Sequence, residues 1–260
     1  MSATPVELAS TGDDGRRRLT GYVADTITFS SVDGPGNRFV VFMQGCNFDC
    51  VACHNPQTIP GHAPLEGYHP QHLSVDDLLV EIRRAAPFIR GVTASGGEAT
   101  QQPEFLRALF GAIRSDPDLG HLSCFIDSNG GASLDVWSRL TPVIDGAMID
   151  LKCLDDVIHR QMTGQPNDLV LASIEHLAEL ELLYETRLLL LAGVNDDDDL
   201  LRRTAEWLAA VDPAMRLKLI GFRSHGARPQ TPALVEPTRD ALEHAADVFW
   251  SVAPFEICTI

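Results

Sequence analysis

Three of the six cysteines sit in one short stretch, Gly45-Cys46-Asn47-Phe48-Asp49-Cys50-Val51-Ala52-Cys53-His54-Asn55-Pro56, spaced C-x-x-x-C-x-x-C. Thiolates this close can each take one iron of a cubane iron–sulfur cluster. A cubane has four irons, so a loop that supplies three ligands leaves one iron open. An open coordination position marks a catalytic metal centre rather than a structural one. Other readings of the same residues stand beside this one. Cys50-Val51-Ala52-Cys53-His54 is formally a haem-attachment string, Cys50 and Cys53 form a C-x-x-C redox pair, and zinc would need a fourth ligand that His54, next to Cys53, is badly spaced to supply.

The thiols must be positioned by what precedes them. Arg38-Phe39-Val40-Val41-Phe42-Met43 is apolar and β-branched and reads as a buried strand. The cysteines therefore lie on a loop at a strand's carboxyl end. Further strands are predicted at 91–95, 122–126, 146–149, 186–191 and 217–222, with a closing strand at 255–258. Each of the first five ends in a polar segment: Gly96-Gly97-Glu98, Asp127-Ser128-Asn129-Gly130, Asp150-Leu151-Lys152, Ala192-Gly193-Val194-Asn195 and Arg223-Ser224-His225-Gly226. Helical spacing is expected at 74–86, 104–114, 134–140, 168–183, 196–210 and 237–250. Residues 21–29 read as an edge strand and 58–72 as a surface loop. Alternation of strand and helix implies a parallel sheet with crossovers of one hand. Polar segments gathered at the carboxyl ends of the strands suit a barrel-type active site.

Several of these segments resemble the radical S-adenosylmethionine enzymes, and within them the glycyl-radical-enzyme activases. The resemblance runs from about 21 to 226 and rests on Asp33-Gly34-Pro35-Gly36-Asn37-Arg38-Phe39, Gln44-Gly45-Cys46, Cys53-His54-Asn55-Pro56, Gly96-Gly97-Glu98, Asp127-Ser128-Asn129-Gly130 and Asp150-Leu151-Lys152. It implies an α/β fold, the partial (β/α)6 TIM-type barrel of the radical SAM type, with residues 1–20 as a flexible leader and 21–260 as one domain. It implies one 4Fe-4S cluster on Cys46, Cys50 and Cys53, and S-adenosylmethionine held by Ala52, His54, Gly96, Gly97, Glu98, Asn129, Asp150, Lys152, Arg187 and Arg223. It also implies a monovalent cation, K+ or Na+, on Asp127, Ser128, Met148 and Asp150. Reductive cleavage of the cofactor would give a 5′-deoxyadenosyl radical that takes hydrogen from a glycine of a partner glycyl radical enzyme, with a one-electron donor such as flavodoxin or ferredoxin. The chain departs from the family at Ala52, where an aromatic residue is usual, and at Arg223, near where a histidine is usual. Those departures keep a small-molecule or other peptide substrate in play. A non-catalytic iron–sulfur or zinc protein is the alternative from another class.

Composition bounds the rest. The chain has 260 residues, 45% of them hydrophobic, and a net charge of -16, which argues against nucleic acid or an anionic membrane as partner. No secretory leader or spanning segment is apparent. Cys124, Cys153 and Cys258 are scattered and read as buried small hydrophobes. A cytoplasmic protein with reduced thiols is expected.

Overall fold

The computed structural model describes residues 19–60 and 68–260; the expected leader lies outside them. One nine-stranded sheet organises the chain. Its strands are β1 (Thr20–Ser30), β2 (Arg38–Met43), β3 (Gln71–Ser74), β4 (Gly91–Gly96), β5 (Ser123–Ser128), β6 (Gly146–Asp150), β7 (Leu183–Leu190), β8 (Arg216–Gly221) and β9 (Glu256–Thr259). The order is β3-β1-β2-β4-β5-β6-β7-β8-β9. β1 runs antiparallel to both β2 and β3, and every pair from β2 to β9 is parallel.

Seven helices of two or more turns connect the strands among the described residues: α1 (Val75–Ala85), α2 (Pro103–Ser115), α3 (Leu134–Leu140), α4 (Asp156–Thr163), α5 (Asp168–Glu179), α6 (Asp198–Val211) and α7 (Arg239–Trp250). Their starts are chemically marked. Ser74 and Asp77 form a reciprocal capping box, and Asp155, Asp197 and Thr238 each accept a first-turn amide.

The parallel strands follow one another across the sheet without reversing direction. Crossovers of one hand then put every helix on the same face. A doubly wound sheet reverses its order at a switch point, and this one does not. The outcome is six β/α units closed by β9, with the two ends of the sheet unpaired among the described residues: the partial barrel expected.

The period-2 alternation of the strands sorts the sheet's two faces. Phe39, Val41, Val92, Ala94, Cys124, Ile126, Ala147, Ile149, Leu188, Leu217 and Leu219 join the core beneath the helices, with Leu78, Ile82, Leu109, Phe110, Trp137 and Phe249. The alternate residues, among them Arg38, Thr93, Asp127, Glu185, Arg187 and Lys218, line the concave side.

Several expectations are corrected. β1 is not an edge, because Thr20–Val23 pairs with β3. β3 itself begins inside the stretch expected as loop, held by pairing and by the stack of Tyr22 on His72 at 4.6 Å. Helix α4 was not foreseen; its polar sequence hides a helix that Asp155 caps and Gly164 ends in a left-handed turn. The helix expected to reach residue 183 stops at Glu179, because Glu181 adopts a φ of 56° and starts the turn into β7. Cys124 and Cys153 are buried as expected, but Cys258 is exposed, since β9 is an open edge. Arg38 is wholly buried and structural: it donates to Thr93, Ser123 and the Val92 carbonyl, and burial pulls its pKa down to about 10.

Candidate active site

A cavity of about 340 Å³ opens at the carboxyl ends of the strands. Cys46, Cys50 and Cys53 line it together with Gly96, Gly97, Glu98, Asp127, Ser128, Asn129, Asp150, Lys152, Ala52, His54 and Arg223. The structure thus brings most of the expected site residues into one wall. Met148 and Arg187 stand just behind it, in the sheet.

Two glycines make room for the wall. A Cβ on Gly96, which has a φ of +113°, would lie 2.2 Å from the Met43 amide nitrogen. One on Gly97 would lie 2.2 Å from the Gly45 carbonyl oxygen. Only glycine lets the end of β4 lie this close to the cluster loop. The Gly97 and Glu98 amides then donate to the Met43 and Gly45 carbonyls.

Glu98 is 1% exposed, and its carboxylate accepts four hydrogen bonds from protein: from the amides of Thr100 and Asn129 and the hydroxyls of Thr100 and Ser128. Burial raises its pKa while these donors oppose the rise. Glu98 therefore joins the ends of β4 and β5. Asn129 Nδ2 donates to Asn47 Oδ1 at 2.9 Å and approaches Cys46 Sγ at 3.7 Å. His54 Nε2 meets the Arg223 carbonyl at 2.8 Å. Ala52 lines the cavity and is buried in one cluster with Cys153, Met162, Leu191, Leu200 and Phe222.

A line of alternating charge runs along the concave face. Arg187 donates to Asp127 at 2.9 Å and to Glu185 at 2.8 Å, and its Nη2 lies 2.8 Å from Met148 Sδ. Lys218 reaches Glu185 at 3.1 Å. Ser95 donates to the other Asp127 oxygen at 2.8 Å. Beside them Lys152 pairs with Asp150 at 2.7 Å. Burial opposes the charge on Lys152, but Asp150, Cys50 and Asp127 together outweigh it and hold the ammonium above its ordinary pKa. Burial raises the pKa of Asp127, against the pull of Arg187. Arg187 is both a buried ion-pair partner and a neighbour of the cavity wall. Its partner Glu185, and Ser95 and Lys218, were missed in the sequence. The signal for Glu185 existed, two residues from Arg187 and so on the same face of the strand. Leu189, Ile220, Met162, Phe48 and Ile59 supply the cavity's apolar lining.

The thiols fit an iron–sulfur cluster. They share one cavity wall, and Cys153 is packed elsewhere in a buried apolar cluster. Among the described residues no three His, Cys, Asp or Glu side chains converge tightly enough to grip a single metal ion. Mononuclear zinc needs that convergence, whereas a cubane offers a separate iron to each thiol. Burial pushes the Cys46 thiol up to about 12 and the Cys50 thiol up to about 11, and raises Cys53. Cluster assembly must therefore displace three protons.

The sequence profile of the Radical SAM superfamily matches residues 40–205, which hold the cluster loop and strands β4 to β7 of this wall. The chain belongs to that superfamily. Within it the similarity is to activating enzymes. A pyruvate formate-lyase-activating enzyme from Streptococcus mutans is 32% identical over 214 residues, 80% of each chain. A putative glycyl-radical enzyme activating enzyme from Haemophilus influenzae is 34% identical over 223 residues, 78% of this chain and 82% of that one. A solved domain of a pyruvate-formate lyase-activating enzyme from Bacteroides vulgatus, 24% identical, superposes with a TM-score of 0.53 and covers 65% of this chain and 98% of that one. That last likeness speaks to the radical SAM fold alone. The family carries a 4Fe-4S cluster and S-adenosylmethionine, and Cys46, Cys50 and Cys53 fit its cysteine motif. Among the described residues no helix is long and apolar enough to cross a membrane.

Proposed function

We propose that this radical SAM enzyme activates a glycyl radical enzyme by removing a hydrogen atom from the α-carbon of one glycine in that partner. The observation that carries the reading is the shared wall: three cluster thiols, the Gly96-Gly97 approach and the Asp150–Lys152 pair around one cavity. The activity named for the S. mutans and H. influenzae relatives, at 32% and 34% identity, supports it.

The cluster and S-adenosylmethionine, when bound, supply one-electron cleavage of the sulfonium and the carbon radical that takes the hydrogen. The protein binds and shields. Cys46, Cys50 and Cys53 would hold the cluster. The backbone at Gly96 and Gly97 would meet the methionine amino group, and Lys152 its carboxylate. Ala52, His54, Asn129 and Arg223, which line the same cavity, would supply contacts to adenine and ribose. Arg187, aimed by Glu185, would fix Asp127. Asp127 and Asp150, with the Ser128 and Met148 carbonyls, offer the hard oxygens that suit K+ or Na+. The apolar lining from Leu189, Ile220 and Phe48 keeps water from the reacting centre.

The unpaired ends of the sheet leave a lateral opening by which an extended peptide can enter. A flavodoxin or ferredoxin would deliver the electron, residues 21–260 would act as one domain, and the free cysteines suit a reducing cytoplasm. The test mixes reduced protein, S-adenosylmethionine and a candidate glycyl radical enzyme without oxygen. The expected result is a doublet organic radical in the paramagnetic resonance spectrum, lost on Gly→Ala in the partner loop. Turnover of a small metabolite with no partner protein present would replace this reading.

A further inference from the structure

The cluster loop is gripped from outside at Cys50. The residues flanking that cysteine donate their amides to the C-terminal carbonyls of α4: Asp49 to Thr163 and Val51 to Met162, both at 2.9 Å. On another side the loop meets Arg228, 179 residues away in sequence. Arg228 Nη1 lies 2.7 Å from Asp49 Oδ1, and its Nη2 donates to the Asp49 carbonyl at 2.7 Å. The Arg228 amide also donates to the Cys53 carbonyl at 3.3 Å. One residue thereby fixes the chain beside two cluster thiols.

The segment carrying Arg228 is itself anchored. Glu236 accepts from the amide and hydroxyl of Ser224 at 2.8 and 2.7 Å. His54, next to Cys53, bonds the Arg223 carbonyl at the head of the same segment. The Arg228 side chain is 17% exposed, while Asp49 is 59% exposed. The guanidinium is thus buried against the loop, and its planar fork spans a carboxylate and a carbonyl that an ammonium could not hold together. It also sets a positive charge beside Asp49, whose carboxylate acts on Cys53.

We propose that Arg228 is a positioning residue that clasps the Cys50–Cys53 arm of the cluster loop, so that cluster retention depends on a residue outside the loop. This rests on the iron–sulfur reading of the three thiols. The test loads wild type, Arg228→Gln, Arg228→Lys and Asp49→Asn with iron and sulfide without oxygen, then follows iron loss to a chelator and melts the cluster-free chains. Arg228→Gln is expected to release iron about tenfold faster, the scale on which outer-shell partners act. Arg228→Lys and Asp49→Asn should fall between it and wild type, because the first keeps the charge and the second keeps the guanidinium's bond to the residue 49 carbonyl. Cluster-free melting should change little, since Asp49 is 59% exposed and solvent screens its pairing with Arg228.

Equal release from Arg228→Gln and wild type overturns the clasp. If cluster-free Arg228→Gln melts well below wild type, the two milder variants decide: faster release supports the clasp and wild-type release overturns it. A wild-type chain that takes up no iron and sulfide overturns the cluster reading and the clasp with it, whereas a loaded wild type with an equally retentive Arg228→Gln overturns the clasp alone.

Discussion

The cluster loop and the charged line on the concave face serve one cavity and are built in opposite ways. The loop takes its three thiols from eight consecutive residues, Cys46 to Cys53. The charged line takes Asp127 from β5, Glu185 and Arg187 from β7 and Lys218 from β8. Its geometry exists only because parallel pairing sets Met148 beside both Asp127 and Glu185, and Arg187 between Asp150 and Lys218. The loop is a local device that a metal completes. The line belongs to the fold, and each charge in it depends on its neighbours for solvation. Damage to the loop should therefore remove chemistry and spare the fold, whereas damage to the line should reach the fold first.

The largest effect tests the loop. Cys50→Ala is expected to abolish both cluster binding and 5′-deoxyadenosine formation, while the far-ultraviolet circular dichroism of the cluster-free chain stays at wild type. Cys124→Ala, in the core behind the sheet, should keep the cluster. A Cys50→Ala protein that retains its iron and activity would make the two regions alike and the ligand assignment wrong.

The next tests the line. Arg187→Met leaves Asp127 and Glu185 buried without their shared cation, a loss on the order of 3–5 kcal/mol. For a domain of this size that is a fall in melting temperature on the order of 10 °C. Replacing Asp127→Asn together with Arg187→Met should recover much of the loss, because Glu185 keeps Lys218 and no unpaired charge remains. A single Arg187→Met variant that melts like wild type would show the line to be solvated, and the contrast would fail.

Legibility follows the same division. The cysteine spacing stands in consecutive residues, so the loop could be read directly, as could most strands from their β-branched runs. Gly96, Asp127 and Asp150 were legible as polar ends of those strands. What escaped depends on pairing between distant segments. β3 has no strand-like sequence and forms because β1 offers it an edge. Glu185 looks like any strand carboxylate until the register puts Arg187 and Lys218 on either side of it. Arg228 lies in a polar loop where nothing local announces the contact with Asp49. Helix α4 is the instructive case, because Asp155 and Gly164 marked its two ends in the sequence. Its mixed face concealed it, and only the structure shows that face packed against the cluster loop.

The smallest effect is a pH dependence that should belong to the loop side and pass through α4. His159 is wholly buried and packs edge-on to Phe48 of the cluster loop at 5.8 Å, with the Cys153 backbone beside its ring. Burial holds its pKa below the ordinary value near 6.5. Above that value the ring is neutral in both the folded and the unfolded chain, and its contribution does not change with pH. As the pH falls below about 6.5 the unfolded chain takes up a proton that the folded chain refuses, so stability falls until the lowered folded pKa is reached. The slope of this contribution is at most about 1.4 kcal/mol per pH unit. His159→Leu removes the titration. Denaturant melts of the cluster-free chain between pH 7.5 and about 5 should therefore show a shallower decline for His159→Leu than for wild type, with the two converging at the upper end. The same comparison made in the Arg187→Met background should give the same difference, because the line does not touch His159 and distant sites add. Parallel curves for wild type and His159→Leu would mean that the imidazole is protonated or solvated behind Phe48, and the loop's support would then not be the dry, packed one the structure shows.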